Sequence, residues 1–249
     1  MSNLYIIPQN PFSRKIKTRY GVGVNEEKKL WKNGYKFVVG LDEVGRGPLA
    51  GPVVAAAVML NPKFKIINSK QIINSKKQVT NKFRISSLGF RVSEIKDSKQ
   101  LSEKKREELY KVLTNHPAIS WGIGIVSEKI IDKINILEAT KLAMQKAIDN
   151  LKISPNFILI DGNFSLKSKI PQKSIIKGDE KVFSITVAGI IAKVTRDRLM
   201  KKMDKKYPEY GFKSHKGYGT DLHIRNLKKF GLSKIHRKTF EPVKSIAKR

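Results

Sequence analysis

The sequence predicts an α/β protein, a mixed sheet flanked by helices and followed by a helical C-terminal region. Three observations carry that class. Two apolar strands come first, helical periodicities interleave with further strands after them, and the chain from about residue 206 breaks into short helices and loops. The chain has 249 residues, 40% of them hydrophobic, which suits one large domain with an appendage and allows a sizeable core.

Residues 1–24 read as an irregular arm, with Pro8, Pro11, Gly21 and Gly23 around a basic run from Arg14 to Arg19. A short helix is expected over 25–32, with Asn25 as its N-cap and Glu26 and Glu27 complementing its dipole. Residues 1–33 are therefore set apart as arm and short helix, and 34–249 as the main domain. Residues 36–41 (KFVVGL) and 52–60 (PVVAAAVML) read as buried strands, 118–126 (AISWGIGIV) as a third and 156–160 (NFILI) as a fourth.

Three longer helices intervene. Residues 102–114 start at a Ser102 N-cap. Residues 136–151 place Ile136, Thr140, Ala143, Ala147 and Leu151 on one face, and 184–205 do the same with Ile185, Ala188, Ala192, Thr195 and Leu199. In the C-terminal region the clearest helix is 220–230, capped by Thr220 and stopped by Gly231. Residues 63–95 differ in character: the segment IINSK occurs twice, with eight basic residues against one acidic. They read as a low-complexity surface insertion, with an extra nucleic-acid contact as the sharper alternative.

Charge narrows the function. Lys and Arg number 51 against 21 Asp and Glu, a net charge of +30, which points to a polyanionic partner. Nucleic acid and an anionic membrane surface are the candidates, and no uncharged apolar run reaches the ~18 residues that a spanning helix needs. The N-terminal residues lack the apolar stretch of a secretory signal, so a cytoplasmic location is expected. With no cysteine, disulfides, zinc–thiolate sites and cysteine nucleophiles are excluded. His116, His215, His223 and His236 show no ligand-pair spacing, so a structural or phosphate-contacting role is expected rather than a metal. Gly45-Arg46-Gly47 is not a dinucleotide fingerprint, since Pro48 follows and no helix opens there.

In so basic a chain the acidic residues are the informative minority. Asp42 and Glu43 end an apolar strand and run into Gly-Arg-Gly; Asp161 ends another; Asp179 precedes a helix. Strand ends are where an open α/β sheet places its site. Four carboxylates without cysteine suit hard divalent cations held through oxygen, and on this surface they suggest metal-assisted phosphodiester cleavage. Each piece also has a plainer reading as a solvated turn or a helix-initiating charge.

The run Gly40-Leu41-Asp42-Glu43-Val44-Gly45-Arg46-Gly47-Pro48-Leu49-Ala50-Gly51-Pro52-Val53 closely resembles the signature of the bacterial ribonuclease HII family. The resemblance continues through Asp97-Ser98-Lys99, Asn135-Ile136-Leu137-Glu138, Asp161-Gly162-Asn163, Lys177-Gly178-Asp179 and Lys193-Val194-Thr195-Arg196-Asp197. It closes with His215-Lys216-Gly217-Tyr218-Gly219 and His236-Arg237-Lys238-Thr239-Phe240, and covers roughly residues 34–62 and 96–244. It implies a ribonuclease H-like central mixed sheet and an endoribonuclease that cuts the RNA of RNA–DNA hybrids. It also implies nicking on the 5′ side of ribonucleotides embedded in duplex DNA, with 5′-phosphate and 3′-hydroxyl products.

The implied catalytic and metal-binding set is Asp42, Glu43, Asp161 and Asp179, with Mn2+ or Mg2+ as cofactor. The implied substrate-binding set is Gly45, Arg46 and Gly47 at the ribose 2′-hydroxyl, Tyr218 at the deoxynucleotide after it, and Lys99 and Asn135 on the phosphate and metal side. A monomer with no membrane attachment is expected. The alternatives are a junction-resolving nuclease of the same fold and a non-catalytic basic RNA-binding protein. Where the family has an Ala-Ala-Ala-Ser run, this chain has Thr186-Val187-Ala188-Gly189. A mid-helix Gly189 is expected to cost about 1 kcal/mol relative to Ala and to loosen the helix after Asp179.

Overall fold

The computed structural model describes residues 22–62, 95 and 102–248. In chain order the elements are α1 (Asn25–Lys32), β1 (Val38–Val44), β2 (Val53–Leu60), α2 (Glu103–Asn115), β3 (Ile119–Val126), α3 (Glu128–Asp149), β4 (Phe157–Asp161) and β5 (Gln172–Ile175). There follow a 3-10 turn (Gly178–Glu180), α4 (Phe183–Lys206), a second 3-10 turn (Pro208–Tyr210), α5 (Phe212–His215), α6 (Asp221–Phe230) and α7 (Val243–Ala247).

The five strands lie in the order β3-β2-β1-β4-β5. β1, β2 and β3 pair antiparallel, while β1–β4 and β4–β5 pair parallel, so the sheet is mixed as expected. β2 is buried along its whole length, which is why its sequence is a continuous apolar run rather than an alternation. The pleat sorts the side chains between two cores. Val54, Ala56, Val58 and Leu60 pack with α2 and α4 on one face; Val39, Leu41, Val53, Ala55 and Ala57 pack with α3 on the other. On that second side Gly122 and Gly124 of β3 let the α3 backbone approach closely; a Cβ at either would strike the carbonyl of Ala147 or Ala143.

Several expected elements shift in informative ways. β1 begins later than expected and runs on through Asp42, Glu43 and Val44, so the acidic pair lies inside the strand. β5 was not expected: Gln172-Lys173-Ser174-Ile175 has one apolar residue and is a strand only because β4 offers an edge to pair with. Asn25 is not the N-cap of α1; Val24 takes that position without a side-chain bond. Glu27 is buried, and its Oε1 accepts the amide of Ser184 in the first turn of α4, 2.9 Å away. α1 therefore caps the central helix through Glu27 while Asn25, Lys28, Lys29 and Lys32 stay exposed.

The C-terminal region shares a core with the loop between β1 and β2. Leu49 and Ala50 pack with Met200, Tyr210, Phe212, Leu227, Ile235 and Val243. Among the described residues no helix is long and apolar enough to cross a membrane. The insertion reading for 63–95 and the Lys99 assignment fall on residues outside the described ones, apart from Ile95, which is buried in the core with Leu109 and Leu113.

Candidate active site

Parallel pairing sets the first two carboxylates side by side. Leu41 pairs with Ile160, so Asp42 and Asp161 stand one step further along neighbouring strands. Both fall on the α4 face, since Leu41 and Ile160 belong to the opposite core. Asp179 joins them from the 3-10 turn ahead of α4. That turn is held in place by the site itself: Asp161 Oδ1 accepts the amide of Gly178 at 2.7 Å. One carboxylate oxygen from each of Asp42, Asp161 and Asp179 lies within 4.8 Å of the others.

Glu43 is not in that cluster. Being next to Asp42 in a pleated strand, it starts from the opposite face. Its Oε1 accepts Arg46 Nη1 at 3.3 Å, and its Oε2 is buried with no hydrogen-bond partner. Burial, and then the neighbouring charges of Glu43, Asp161 and Asp179, push the Asp42 carboxyl well above the usual carboxylate range. Glu43 is raised too, first by burial and with Asp161 contributing, while Arg46 acts against the shift.

Such an arrangement fits divalent cations. Three convergent carboxylates repel one another, and a fourth offers a buried oxygen with no hydrogen-bond partner. Oxygen donors of this kind suit Mg2+ or Mn2+.

Gly189 lies directly against this cluster. A Cβ there would fall inside the van der Waals shell of Asp42 Oδ2. The expected loosening of the helix is not seen, since α4 runs unbroken through Gly189. The missing side chain makes room for a buried carboxylate, and that offsets the propensity cost of glycine.

The Gly-Arg-Gly segment leaves the cluster as a loop with Gly45 at φ +101°, a conformation that favours glycine. Arg46 and Gly47 are exposed, and a Cβ on Gly47 would lie 3.8 Å from the Tyr218 ring. The structure thus brings Gly47 and Tyr218 together across 171 residues of sequence, and Tyr218 is 43% exposed.

Two residues that the sequence reading left without a role hold this loop. Arg237 is fully buried; its Nε donates to Gly51 O at 3.0 Å, Nη1 to Arg46 O at 2.8 Å, and Nη2 to Gly45 O at 2.6 Å. Arg196, also fully buried, donates through Nε to Pro52 O at 2.9 Å, Nη2 to Ala50 O at 3.2 Å and Nη1 to Lys216 O at 2.9 Å. Burial lowers Arg196 to about 10 and Arg237 to about 9, the Arg196 charge adding to the latter, so both stay cationic near neutrality. Nothing local in the sequence marks either arginine as buried, and Arg196 even has Asp197 beside it.

Asn135 sits inside α3. It has φ 66°, interrupts α3, and its Oδ1 accepts the amides of Leu137 at 2.9 Å and Glu138 at 3.1 Å. Its side-chain oxygen is thus the N-cap of the longer half of α3.

The sequence model described as Ribonuclease HII matches residues 39–87 and 86–243. A ribonuclease HII of Acetivibrio thermocellus is 50% identical over 214 residues, 86% of this chain and 73% of that one. The crystal structure of ribonuclease H2 from Pyrococcus horikoshii OT3 superposes with a TM-score of 0.62 at 29% identity, covering 86% of this chain and 98% of that one. The fold also matches Bst-RNase HIII in complex with Mn2+, with a TM-score of 0.57 at 18% identity, covering 86% of this chain and 70% of that one.

Proposed function

The chain belongs to the ribonuclease HII family and is a hydrolase acting on RNA–DNA hybrids, and from that premise we propose its finer chemistry: it nicks duplex DNA on the 5′ side of an embedded ribonucleotide, leaving a 3′-hydroxyl and a 5′-phosphate. The carrying observation is the trio Asp42, Asp161 and Asp179, whose oxygens converge within 4.8 Å in a chain of net charge +30.

Asp42, Asp161 and Asp179 hold divalent cations, Mg2+ or Mn2+, with Glu43 joining through its unpartnered Oε2. Bound there, the cations supply Lewis-acid activation of water and neutralise charge at the scissile phosphate. The remaining work falls to the chain. The backbone of Gly45, Arg46 and Gly47 meets the ribose 2′-hydroxyl, the group that distinguishes RNA from DNA. Arg196 and Arg237 hold that backbone rigid, so little order is lost on binding. Tyr218 packs against the deoxyribose that follows, its ring on the sugar and its hydroxyl toward solvent. Residues 193–249 carry 18 basic and five acidic side chains and follow the phosphates.

Lys99 enters the substrate-binding set on motif alone, and Asn135 only through its amide nitrogen, since its oxygen caps α3. On this reading residues 34–249 form the catalytic domain, with 63–95 inserted, and the enzyme works as a cytoplasmic monomer.

The test is a DNA duplex holding one ribonucleotide, incubated with Mg2+ or Mn2+ and mapped to the nucleotide. A single cut on the 5′ side with a ligatable 3′-hydroxyl is expected. Cleavage of continuous RNA–DNA hybrid alone, or a cut on the 3′ side, would refute the embedded-ribonucleotide reading.

A further inference from the structure

His215, His223 and His236 come from a stretch of 22 residues and form one buried cluster beneath Tyr218. The His215 and His223 rings stack with centroids 4.4 Å apart, and His223 and His236 meet through their Nε2 atoms at 3.0 Å. All six ring nitrogens have a partner, and the partners dictate the tautomers. An amide can only donate, so Ser233 N–H, 2.9 Å from His236 Nδ1, makes that nitrogen an acceptor. His236 then carries its proton on Nε2 and donates it to His223 Nε2. His223 in turn carries its proton on Nδ1, which donates to the carbonyl of Tyr218 at 2.9 Å. The result is a one-way chain from Ser233 through two imidazoles to Tyr218.

His215 works on the same loop from the other side. Its Nδ1 accepts Gly217 N–H at 3.2 Å, its Nε2 donates to Tyr210 O at 2.8 Å, and its carbonyl accepts the amide of Tyr218 at 2.9 Å. Both backbone polar groups of Tyr218 are thus held by residues of the cluster. With every ring nitrogen occupied, no lone pair is left for a metal ion.

We propose that His215, His223 and His236 are positioning residues for Tyr218, and that this cluster sets the enzyme's preference for an RNA–DNA junction over a continuous RNA strand. The proposal rests on the assignment of Tyr218 to the deoxyribose.

The chain of donors works only with neutral rings. A second proton on His223 would set N–H against N–H at His236, and one on His215 would do so at Gly217. Burial depresses His223 and His236 to about 4, with the neighbouring imidazoles adding to the shift and the backbone groups of Tyr218, Gly217 and Ser233 opposing it. His215 is lowered as well, by burial and Lys216, with Asp204 and the Tyr210 carbonyl opposing. Tyr210 and Phe212 supply the aromatic floor.

The experiment compares kcat and KM on a single-ribonucleotide duplex and on a continuous hybrid. The variants are His223→Phe, His223→Asn, Tyr218→Ala, and the double variant that combines His223→Phe with Tyr218→Ala. His223→Phe is expected to lower the junction-to-continuous ratio of kcat/KM about tenfold while leaving continuous cleavage within about twofold. His223→Asn, whose amide can still donate to the Tyr218 carbonyl, should restore most of the ratio. In the double variant the loss should equal that of Tyr218→Ala alone. Equal losses on both substrates, or an intact ratio in His223→Phe when Tyr218→Ala collapses it, would overturn the proposal. An intact ratio in Tyr218→Ala would instead refute the Tyr218 assignment and remove the proposal with it.

If His223→Phe fails to fold, the wild-type pH profile decides. The ratio cancels the carboxylate titrations common to both substrates; it should hold from about pH 8 to about pH 5.5 and fall toward pH 4. A ratio flat through that range would contradict the proposal.

Discussion

The carboxylate corner, Asp42 with Asp161 and Asp179, and the guanidinium corner, Arg196 with Arg237, gather charge of opposite sign at the two sides of residues 42–52. The arginines are completed from within, since their N–H groups meet the carbonyls of Gly45, Arg46, Ala50, Gly51, Pro52 and Lys216. The carboxylates accept amides, Asp42 from Glu43 and Asp161 from Gly178, but converge with like charge, and burial raises Asp42 well above its ordinary value. A buried charge satisfied by the fold is architecture; one left for an outside ion is chemistry. Substitution should therefore move stability in opposite senses at the two corners, while activity falls at both.

The largest effect is expected at Asp42→Asn. Removing one ionised member of the cluster should cut cleavage by about a thousandfold or more, at saturating metal. The metal-free protein should meanwhile melt higher than wild type, because a like charge is gone. Differential scanning calorimetry with and without Mn2+ checks both halves: the variant should gain in Tm without metal and lose most of the metal-induced rise. A variant that melts lower without metal would break the comparison from the acidic side.

Arg237→Met should instead cost stability and leave the metal site intact. Several buried carbonyls lose their donor, so a stability loss of about 3 kcal/mol is expected by urea unfolding. KM for a ribonucleotide-containing duplex should rise while metal affinity, measured by calorimetry, holds. Arg237→Lys should recover part of the stability, since an ammonium keeps the charge but not the fork that spans three carbonyls.

The pH dependence of the metal-free fold sharpens the contrast. The Asp42 carboxyl is raised in the folded state, so the folded protein binds that proton more readily and gains stability as pH falls through its folded pKa. The imidazoles of His223 and His236 are depressed to about 4, so between the ordinary value of 6.5 and about 4 the unfolded chain binds more protons. Their contribution is full above 6.5 and lost on the way down. His223→Asn should flatten that decline, and Asp42→Asn should steepen it by removing the opposing carboxylate; urea midpoints measured across the range would show both.

Gly189→Ala should give the smallest effect. The added methyl presses on Asp42 Oδ2, the end of a short side chain, which can turn aside. Helix propensity gains up to about 1 kcal/mol, so thermal stability should hold or rise slightly. The metal concentration giving half-maximal cleavage should increase a few-fold. An unchanged metal requirement would mean that the Asp42 carboxylate tolerates displacement.

Much of this was legible in the sequence because it is local. The apolar run of β2, the Ser102 cap on Lys105 and the Thr220 cap on His223 each depend on residues within a few positions. So does the placing of acidic residues at strand ends, which marked Asp42 and Asp161, and the family signature marked Asp179 with them. What the tertiary structure alone decided needs pairs distant in the chain. Pleat alternation and the β1–β4 register separate Glu43 from the trio that Asp42 joins. β5 exists because β4 has an open edge, and Gly189 is explained only once Asp42 is seen against it. Arg196 and Arg237 become the support of the Gly-Arg-Gly loop only after folding brings the C-terminal region onto residues 45–52, and three histidines hold Tyr218 once residues 210–236 fold on one another. Periodicity and capping record what a residue asks of its neighbours, whereas a buried cation or imidazole is defined by whichever distant groups enclose it.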